Sequence, residues 1–454
     1  MSRINIKRVI FICGFIFSLL IFFLPINGLS PEGKKSIALF LLIFSMWVSN
    51  IIPLAVTGLL VFILIPVLGI LSPTRSFSLL GNRAVFFILG AFILSGGIMK
   101  SGLSRRVAML LIRRFSGNGN KLLIGIFLTS GILSFFMPEH AVAAILFPVI
   151  LEIAHNFKIR PGRSKISRYL FLSMAWGCVA GGVGTMLGGA RAPLAAGLLY
   201  QSFGINIGFI EWAKYSLPVS ITILVLFSLY FMFLKNLEGF EVVELLHPDK
   251  KLKPIEIKTG VVFLFTLILW VFFNRWIDIS VSALIGAVLL FIVGVLKWKE
   301  VEEYVNWGII LMYGGAIALG ESLLRTGAAD YIARVVLSPF VQTYGTAFVS
   351  LVIVTIILTE GMSNVAAASL VLPIGFGVAR AYGYNPVLLT LGIGIGAGLA
   401  FLLPTGTPPN AIALSSNFHS VGTSIKKGLV IEVISIVILI IFGLFVWPHM
   451  GVGR

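Results

Sequence analysis

Charge is scarce in this chain. Only 11% of its 454 residues are Asp, Glu, Lys or Arg, against 58% hydrophobic, a balance that excludes an ordinary soluble globular protein. Acidic residues are scarcer still, 17 against 34 basic ones, for a net charge of +17. Such an excess raises nucleic acid as a partner, but in a membrane protein Lys and Arg report which loops face the cytoplasm; no nucleic-acid partner is expected. Cysteine is nearly absent. Cys13 and Cys178 both lie in apolar segments, leaving no disulfide framework and no thiolate metal site. No Walker-type loop occurs, and no polar stretch could house a nucleotide-binding domain, which speaks against an ATP-driven pump.

What the chain has is apolar length. A helix needs about 20 apolar residues to cross hydrocarbon. Windows of that kind fall near 9–28, 36–52, 54–71, 84–99, 169–187, 214–234, 259–274, 279–296, 305–324, 386–404 and 428–447, while 122–154 and 345–380 do not divide into single spans. With the N-terminus in the cytoplasm and the two odd stretches entering and leaving from one face, 23 Lys and Arg fall in cytoplasmic segments and 10 in the opposite loops. That bias predicts two re-entrant hairpins, since a single crossing at either would invert every later loop. The first apolar segment is long and lacks a small-residue cleavage site, so an uncleaved first helix is expected. The expected fold class is an all-α polytopic membrane protein.

The chain repeats itself. At an offset of 225 residues "GAFILSGGIMKSGLSRRVA" (90–108) lies over "GAIALGESLLRTGAADYIA" (315–333), and "MPEHAVAAILFP" (137–148) over "MSNVAAASLVLP" (362–373). A second pair sets "GGVGTMLGGARAPLA" (181–195) against "LAFLLPTGTPPNAIA" (399–413). The loop charges place the copies in opposite orientations, an inverted repeat. Transporters of that kind bind substrate near the bilayer midplane, where broken helices from the two halves meet. The organisation expected is a first helix at 1–30, a first repeat over 31–235 (hairpin 119–155, broken helix 165–202), a cytoplasmic linker at 236–258, and a second repeat over 259–450 (hairpin 343–380, broken helix 386–417). The glycines at 181, 182, 184, 188 and 189, and at 392, 394, 396 and 398, suit close helix packing.

Each break has a chemical use. In "LPTGTPPNAI" the prolines at 408 and 409 remove backbone donors, so freed carbonyls can hold a cation, and the next half-helix presents amide donors to an anion. At "TEGMSNVA" the oxygens of Thr359, Ser363 and Asn364 suit a hard monovalent cation. Non-helical backbone at this depth is tolerated only where protein or a water-filled cavity satisfies it.

These tips and breaks resemble the divalent anion/sodium symporter family of dicarboxylate, citrate and sulfate transporters. The resemblance rests on "TExxSN" at 359–364, "GTPPNAI" at 406–412 and the repeated "KSGL" and "RTGA" helix ends, and it covers nearly the whole chain. It implies eleven spanning helices plus two hairpins, a homodimer in a prokaryotic cell membrane, and elevator-like movement of a transport domain against a scaffold. Carried over by position, it implies sodium at Thr359, the Met362 carbonyl, Asn364 and Gly406, and a small anionic substrate at Asn364, Thr407 and Pro408. No other cofactor is implied.

The first half departs from that pattern. Pro138, Glu139 and His140 stand where the family has Ser-Asn-Thr, and Gly189, Ala190, Arg191 and Ala192 where it has Thr-Pro-Pro-Asn, although Ser134 and Gly188 still match positions near the first sodium. A charge at mid-bilayer is costly, about 2.5–3.5 kcal/mol on insertion scales. Glu139 is therefore read as capping its own helix, binding sodium, taking up a proton or pairing with Arg191, and Arg191 as a partner for Glu139, a fixed replacement for the sodium or a bidentate anchor for the substrate. His140 is a candidate for contact with substrate or proton. Glu360 reads as a hydrogen-bonding residue beside the tip; Glu321 and Glu432 carry no motif. The function expected is a secondary transporter of small divalent anions (dicarboxylate or sulfate-like), sodium-coupled through the second-half site; the alternatives are a proton-coupled or exchange carrier of the same fold, and an anion channel. An intramembrane enzyme lacks the companion ligands or nucleophile it would need.

Overall fold

The computed structural model describes residues 3–115, 117–162, 164–234 and 251–451. Of the expected linker, residues 236–250 lie outside the described residues. Among the described residues there is no strand. The helices, in chain order, are α1 (Arg3–Phe23), α2 (Pro31–Ser49), α3 (Leu54–Val67), α4 (Pro73–Ser78), α5 (Arg83–Ser101), α6 (Leu103–Arg113), α7 (Gly119–Ser134), α8 (Glu139–Asn156), α9 (Lys165–Gly182), α10 (Arg191–Phe203) and α11 (Phe209–Met232). They continue as α12 (Pro254–Phe272), α13 (Ile279–Ile292), α14 (Trp298–Tyr304), α15 (Trp307–Arg325), α16 (Ala328–Tyr331), α17 (Tyr344–Gly361), α18 (Asn364–Tyr382), α19 (Pro386–Gly396), α20 (Pro408–Ser415) and α21 (Val421–Ile441).

Local chemistry sets the ends. Ser30, Asn118, Ser164 and Asn385 each accept a backbone N–H from the first turn of the helix they precede, satisfying a donor the helix cannot. Three expected spans stop short. Pro25 follows the end of α1, and Gly69 (φ 70°) and Gly294 (φ 74°) turn the chain after α3 and α13. Among the described residues seven helical segments are long and apolar enough to cross a membrane by themselves, among them Phe209–Met232, Pro254–Phe272 and Trp307–Arg325; Leu54–Val67, Gly119–Ser134, Ile279–Ile292 and Pro386–Gly396 are apolar but shorter, the last because the chain breaks after Gly396. Phe17, Val67, Phe272 and Ile357 are each more than half exposed, an outer surface suited to hydrocarbon rather than water.

Two groups of helices emerge from the packing. In one, α1 lies on α2, α3 on α15, and α5 on α13 and α12; in the other, α7, α8, α9 and α11 pack together with α17, α18, α19, α20 and α21. They meet where α18 and α10 lie on α15 and α5. Both halves of the chain run through the same sequence of devices. The helix ends at "KSGL" and "RTGA" turn on Gly102 (φ 81°) and Gly327 (φ 72°), left-handed positions that glycine adopts without strain. The turn at 135–138 joins α7 to α8 as Met362–Ser363 joins α17 to α18. Thr185 donates to the Phe135 carbonyl (2.7 Å), and Thr405 to the Glu360 carbonyl (2.9 Å), fastening each break to the tip beside it.

Candidate binding site at the two tips and two breaks

Four helices begin at one place. Glu139 is the first residue of α8, Arg191 of α10 and Asn364 of α18, and Thr407 precedes Pro408 at the start of α20. All of them line a cavity of about 390 Å³, closed on one side by Phe92 of α5 and Ile309 of α15, a size within the range of about 300–1,000 Å³ typical of small-ligand pockets. Helix N-termini carry unpaired amide donors and a partial positive charge. Four of them at one cavity make it an environment for an anion.

Glu139 is the hub of the first half. Its amide donates to the Gly188 carbonyl (2.9 Å), so Pro138, which has no capping side chain, is replaced in that duty by the break. One carboxylate oxygen accepts from Arg191 Nη1 (3.3 Å) and the other from Asn364 Nδ2 (3.1 Å). The carboxylate lies against Gly182, where any side chain would collide with it, and Gly188 sits where a Cβ would come within 2.5 Å of the Gly182 and Ser134 carbonyl oxygens. Arg191 is 2% exposed; its guanidinium reaches past Gly189 to Gly398 at the end of α19, so it touches both breaks. Among the described residues its Nη2 has no hydrogen-bond partner, nor has the buried Thr407 hydroxyl. A buried guanidinium donor left open beside a cavity needs an acceptor.

The second half is built from neutral oxygens. Thr359 Oγ1 lies 2.9 Å from Asn364 Oδ1 and 2.8 Å from the Ala397 carbonyl. One hydroxyl proton can serve only one of those oxygens at a time. The three therefore offer converging lone pairs that fit a hard cation such as sodium. Ser363 caps α18 by accepting from the Ala366 amide. The equivalent of Thr359 in the first half is Ser134, whose hydroxyl is buried beside the Cys178 thiol.

The structure thus brings Glu139, His140, Gly188, Arg191, Asn364, Gly406, Thr407 and Pro408 to one cavity. Ser134 and Thr359 are buried behind it, and Met362 ends α17 in extended backbone with its side chain buried. His140 packs edge-on to Phe92 at 6.2 Å. The motifs do not announce every participant. The Ala397 carbonyl belongs to no motif, because any residue supplies a carbonyl; Asn410 donates to the Ala400 and Leu403 carbonyls inside the break. Glu360 accepts from the amides of Leu402 and Leu403, and Glu432 from that of Phe401. Glu321 lies elsewhere, paired with Arg75 (2.8 Å) and Arg325 (2.7 Å) and accepting from Gln201.

An all-helical membrane fold with two hairpins and two broken helices around an anion-suited cavity defines a membrane transporter. The chain belongs to the sodium:sulfate symporter transmembrane region family, which matches residues 5–452. The family is one of transporters, not enzymes. A sodium-dependent dicarboxylate transporter of Staphylococcus saprophyticus is 29% identical over 469 residues, covering 96% of this chain and 89% of that protein. Its namesake from Staphylococcus aureus strain USA300 is also 29% identical, over 94% and 88%. Two solved structures share the fold. Neisseria gonorrhoeae MtrF aligns with a TM-score of 0.59 at 16% identity, over 98% of this chain and 95% of that one; the Alcanivorax borkumensis YdaH transporter aligns at 0.59 and 15%, over 84% and 89%.

Proposed function

We propose that the protein is a secondary transporter of a small divalent anion, a dicarboxylate or sulfate-like ion, driven by sodium bound in the second half alone. The observation that carries the reading is the convergence of four helix N-termini, the open Arg191 Nη2 and the open Thr407 hydroxyl on one cavity. The anion sits among them, held by Arg191, Asn364, Thr407 and Pro408, with His140 at the rim. Sodium takes the Thr359, Asn364 and Ala397 oxygens, and the Met362 and Gly406 backbone completes the site. In the first half the guanidinium of Arg191 supplies, through Glu139, the positive charge that a second cation would bring. The group of helices that carries both tips and both breaks moves as a unit against the other, in a homodimer of a prokaryotic cell membrane with its N-terminus in the cytoplasm. The dicarboxylate assignment draws on the names of the staphylococcal relatives.

Reconstituted protein should take up labelled succinate, malate or sulfate faster when the vesicles are preloaded with the same anion, as a carrier does and a channel does not. Uptake should depend on sodium with a Hill coefficient near one. Asn364→Ala should lose uptake while still reaching the membrane, since Asn364 touches Glu139, the cation oxygens and the cavity. Normal uptake by that variant at subsaturating substrate, or a steeply cooperative sodium curve, would sink this reading. Uptake indifferent to sodium would favour the exchange carrier, in which Arg191 suffices as the fixed countercharge.

A further inference from the structure

A second charged cavity lies on the seam between the two groups of helices, at the other end of α15 from the substrate cavity. Ile309 lines the one and Glu321 the other, about 18 Å apart along the axis at 1.5 Å per residue. This second cavity encloses about 190 Å³ and is lined by Arg75 of α4, Glu321 and Arg325 of α15, Gln201 and Ser202 of α10 and Arg380 of α18, with Leu324 as its one apolar residue. The helices α4 and α15 belong to one group, since both pack on α3, whereas α10 packs on α18 and α19 of the other. The end of α10 is gripped from across the seam: Arg83 lies over the Tyr200 ring (3.5 Å) and Asn82 donates to Gln201 Oε1 (3.3 Å).

One carboxylate cannot neutralise three guanidiniums. Glu321 Oε1 accepts from Arg75 Nη2 (2.8 Å) and Arg325 Nε (2.7 Å), and Oε2 from Gln201 Nε2 (2.9 Å), so both of its oxygens are engaged. Arg380 forms no salt bridge among the described residues; its Nη2 donates to the Ser202 carbonyl (3.0 Å). The Ser202 hydroxyl is buried with no hydrogen-bond partner among the described residues. Asp330 of α16 lies near enough to feel the charge of Arg380, but its buried Oδ1 makes no hydrogen bond. Each guanidinium carries five donors in a planar fork, so most of this donor set faces the cavity or water. Forks of that kind match the oxygens of an anion two at a time.

We infer that this cavity is a second anion site, which takes a compact oxyanion between Arg75 and Arg325 on one side of the seam and Arg380 on the other. The oxyanion is either a free dianion such as sulfate or the phosphate of an anionic lipid headgroup; the recognition chemistry is the same. It shares no lining residue with the substrate cavity. Because its ligands come from both groups of helices, a bound anion ties α4 and α15 to α18 and favours the arrangement seen here.

Arg75, Arg325 and Arg380 are exposed, as is Arg275 on the loop after α12, so all four are open to phenylglyoxal, and mass spectrometry reads the modification of each. In purified full-length protein, sodium sulfate should slow modification of the three cavity arginines severalfold relative to sodium chloride at equal ionic strength, with one half-protecting concentration, and leave Arg275 unchanged. Arg380→Gln removes the ligand from one side of the seam, so protecting Arg325 on the other should then take about tenfold more sulfate, the loss of one charged hydrogen bond. Unaltered protection of Arg325 in that variant would overturn the bridging site. Should the variant fail to fold, wild type decides: different half-protecting concentrations at the three arginines, or equal protection of Arg275, overturns the site. The same measurement in Asn364→Ala separates the two cavities. Protection that survives there upholds a site of its own, whatever becomes of the transport reading; protection that disappears traces to the substrate cavity and overturns it. Nanodiscs of phosphatidylcholine with and without phosphatidylglycerol distinguish the sources. Protection by phosphatidylglycerol without added sulfate assigns the site to a lipid headgroup, protection by sulfate alone assigns it to a free dianion, and protection by neither overturns the inference.

Discussion

The two halves of the chain build the same corner from different chemistry. In each, a hairpin tip meets a broken helix, a threonine in the break donates to a tip carbonyl, and a new helix starts at the cavity. The second half lines this corner with Thr359, Asn364 and the Ala397 carbonyl, neutral oxygens that leave room for a mobile positive charge. The first puts a full negative charge on its tip and a full positive charge on its break, Glu139 against Arg191 at 3.3 Å. Geometry is shared while charge is redistributed. A backbone frame can thus be conserved within one chain after its ligand set has been rewritten, and the tip that was rewritten now touches the other through Asn364 Nδ2.

The most severe way to break that comparison is to remove one charge of the pair. Glu139→Gln leaves Arg191 buried and uncompensated; Arg191→Gln leaves Glu139 with Asn364 alone. Each single change should cost about 3–5 kcal/mol, as breaking a buried pair does, while the double variant recovers much of the loss. A thermal double-mutant cycle measures the coupling. Strictly additive costs would show that the two charges do not act together. Sodium sharpens the outcome. If the guanidinium stands in for a cation, Arg191→Gln should gain sodium-dependent stabilisation beyond that of wild type, because Glu139 is then open to an ion.

Much of this corner could be read from residue types, because departures from a repeat are conspicuous. Aligning the halves singles out Glu139 and Arg191 as the two charges in otherwise equivalent segments, and Gly188 and Gly406 as matched turns. Apolar length and charge placement give the membrane class; proline and glycine locate the breaks. Other features have no local signature. The Glu139–Asn364 hydrogen bond joins residues 225 positions apart, and nothing in either tip specifies which way the other faces. Ala397 contributes a carbonyl, which its side chain does not announce. Glu432 reads as a stray acid in an apolar helix until the fold lays α21 across Phe401. Helix ends drift for a simpler reason, since glycines such as Gly69 and Gly294 end α3 and α13 before the apolar run does.

A milder comparison uses the matched glycines. A Cβ at Gly188 would sit 2.5 Å from two carbonyl oxygens of the backbone, which cannot swing aside; at Gly406 the nearest atoms are the Ala400 Cβ at 3.0 Å and the Thr359 carbonyl oxygen at 3.1 Å. Gly188→Ala should therefore destabilise by about 1–3 kcal/mol, the usual cost of overpacking, and Gly406→Ala by less than about 1 kcal/mol. Chemical or thermal unfolding of the two variants side by side tests the ranking. Equal costs would mean that the first break is no more tightly seated on its tip than the second.

The smallest expected effect is also the one in which the halves should agree. Thr185 and Thr405 make the same bond, from hydroxyl to tip carbonyl, at 2.7 Å and 2.9 Å. Valine has nearly the same shape and no donor. Hydrogen bonds inside membrane proteins average about 0.6 kcal/mol, because the unfolded chain in the bilayer also finds partners. Thr185→Val and Thr405→Val should each cost about that much. The first carries a second loss, since the Thr185 hydroxyl also accepts from the Leu187 amide at 3.1 Å, so Thr185→Val should be the costlier by a few tenths of a kcal/mol. Measured by equilibrium unfolding, near-equal small costs would support one frame holding both corners. A cost above about 2 kcal/mol at one site alone would show that the frame itself, and not only its ligands, has diverged between the halves.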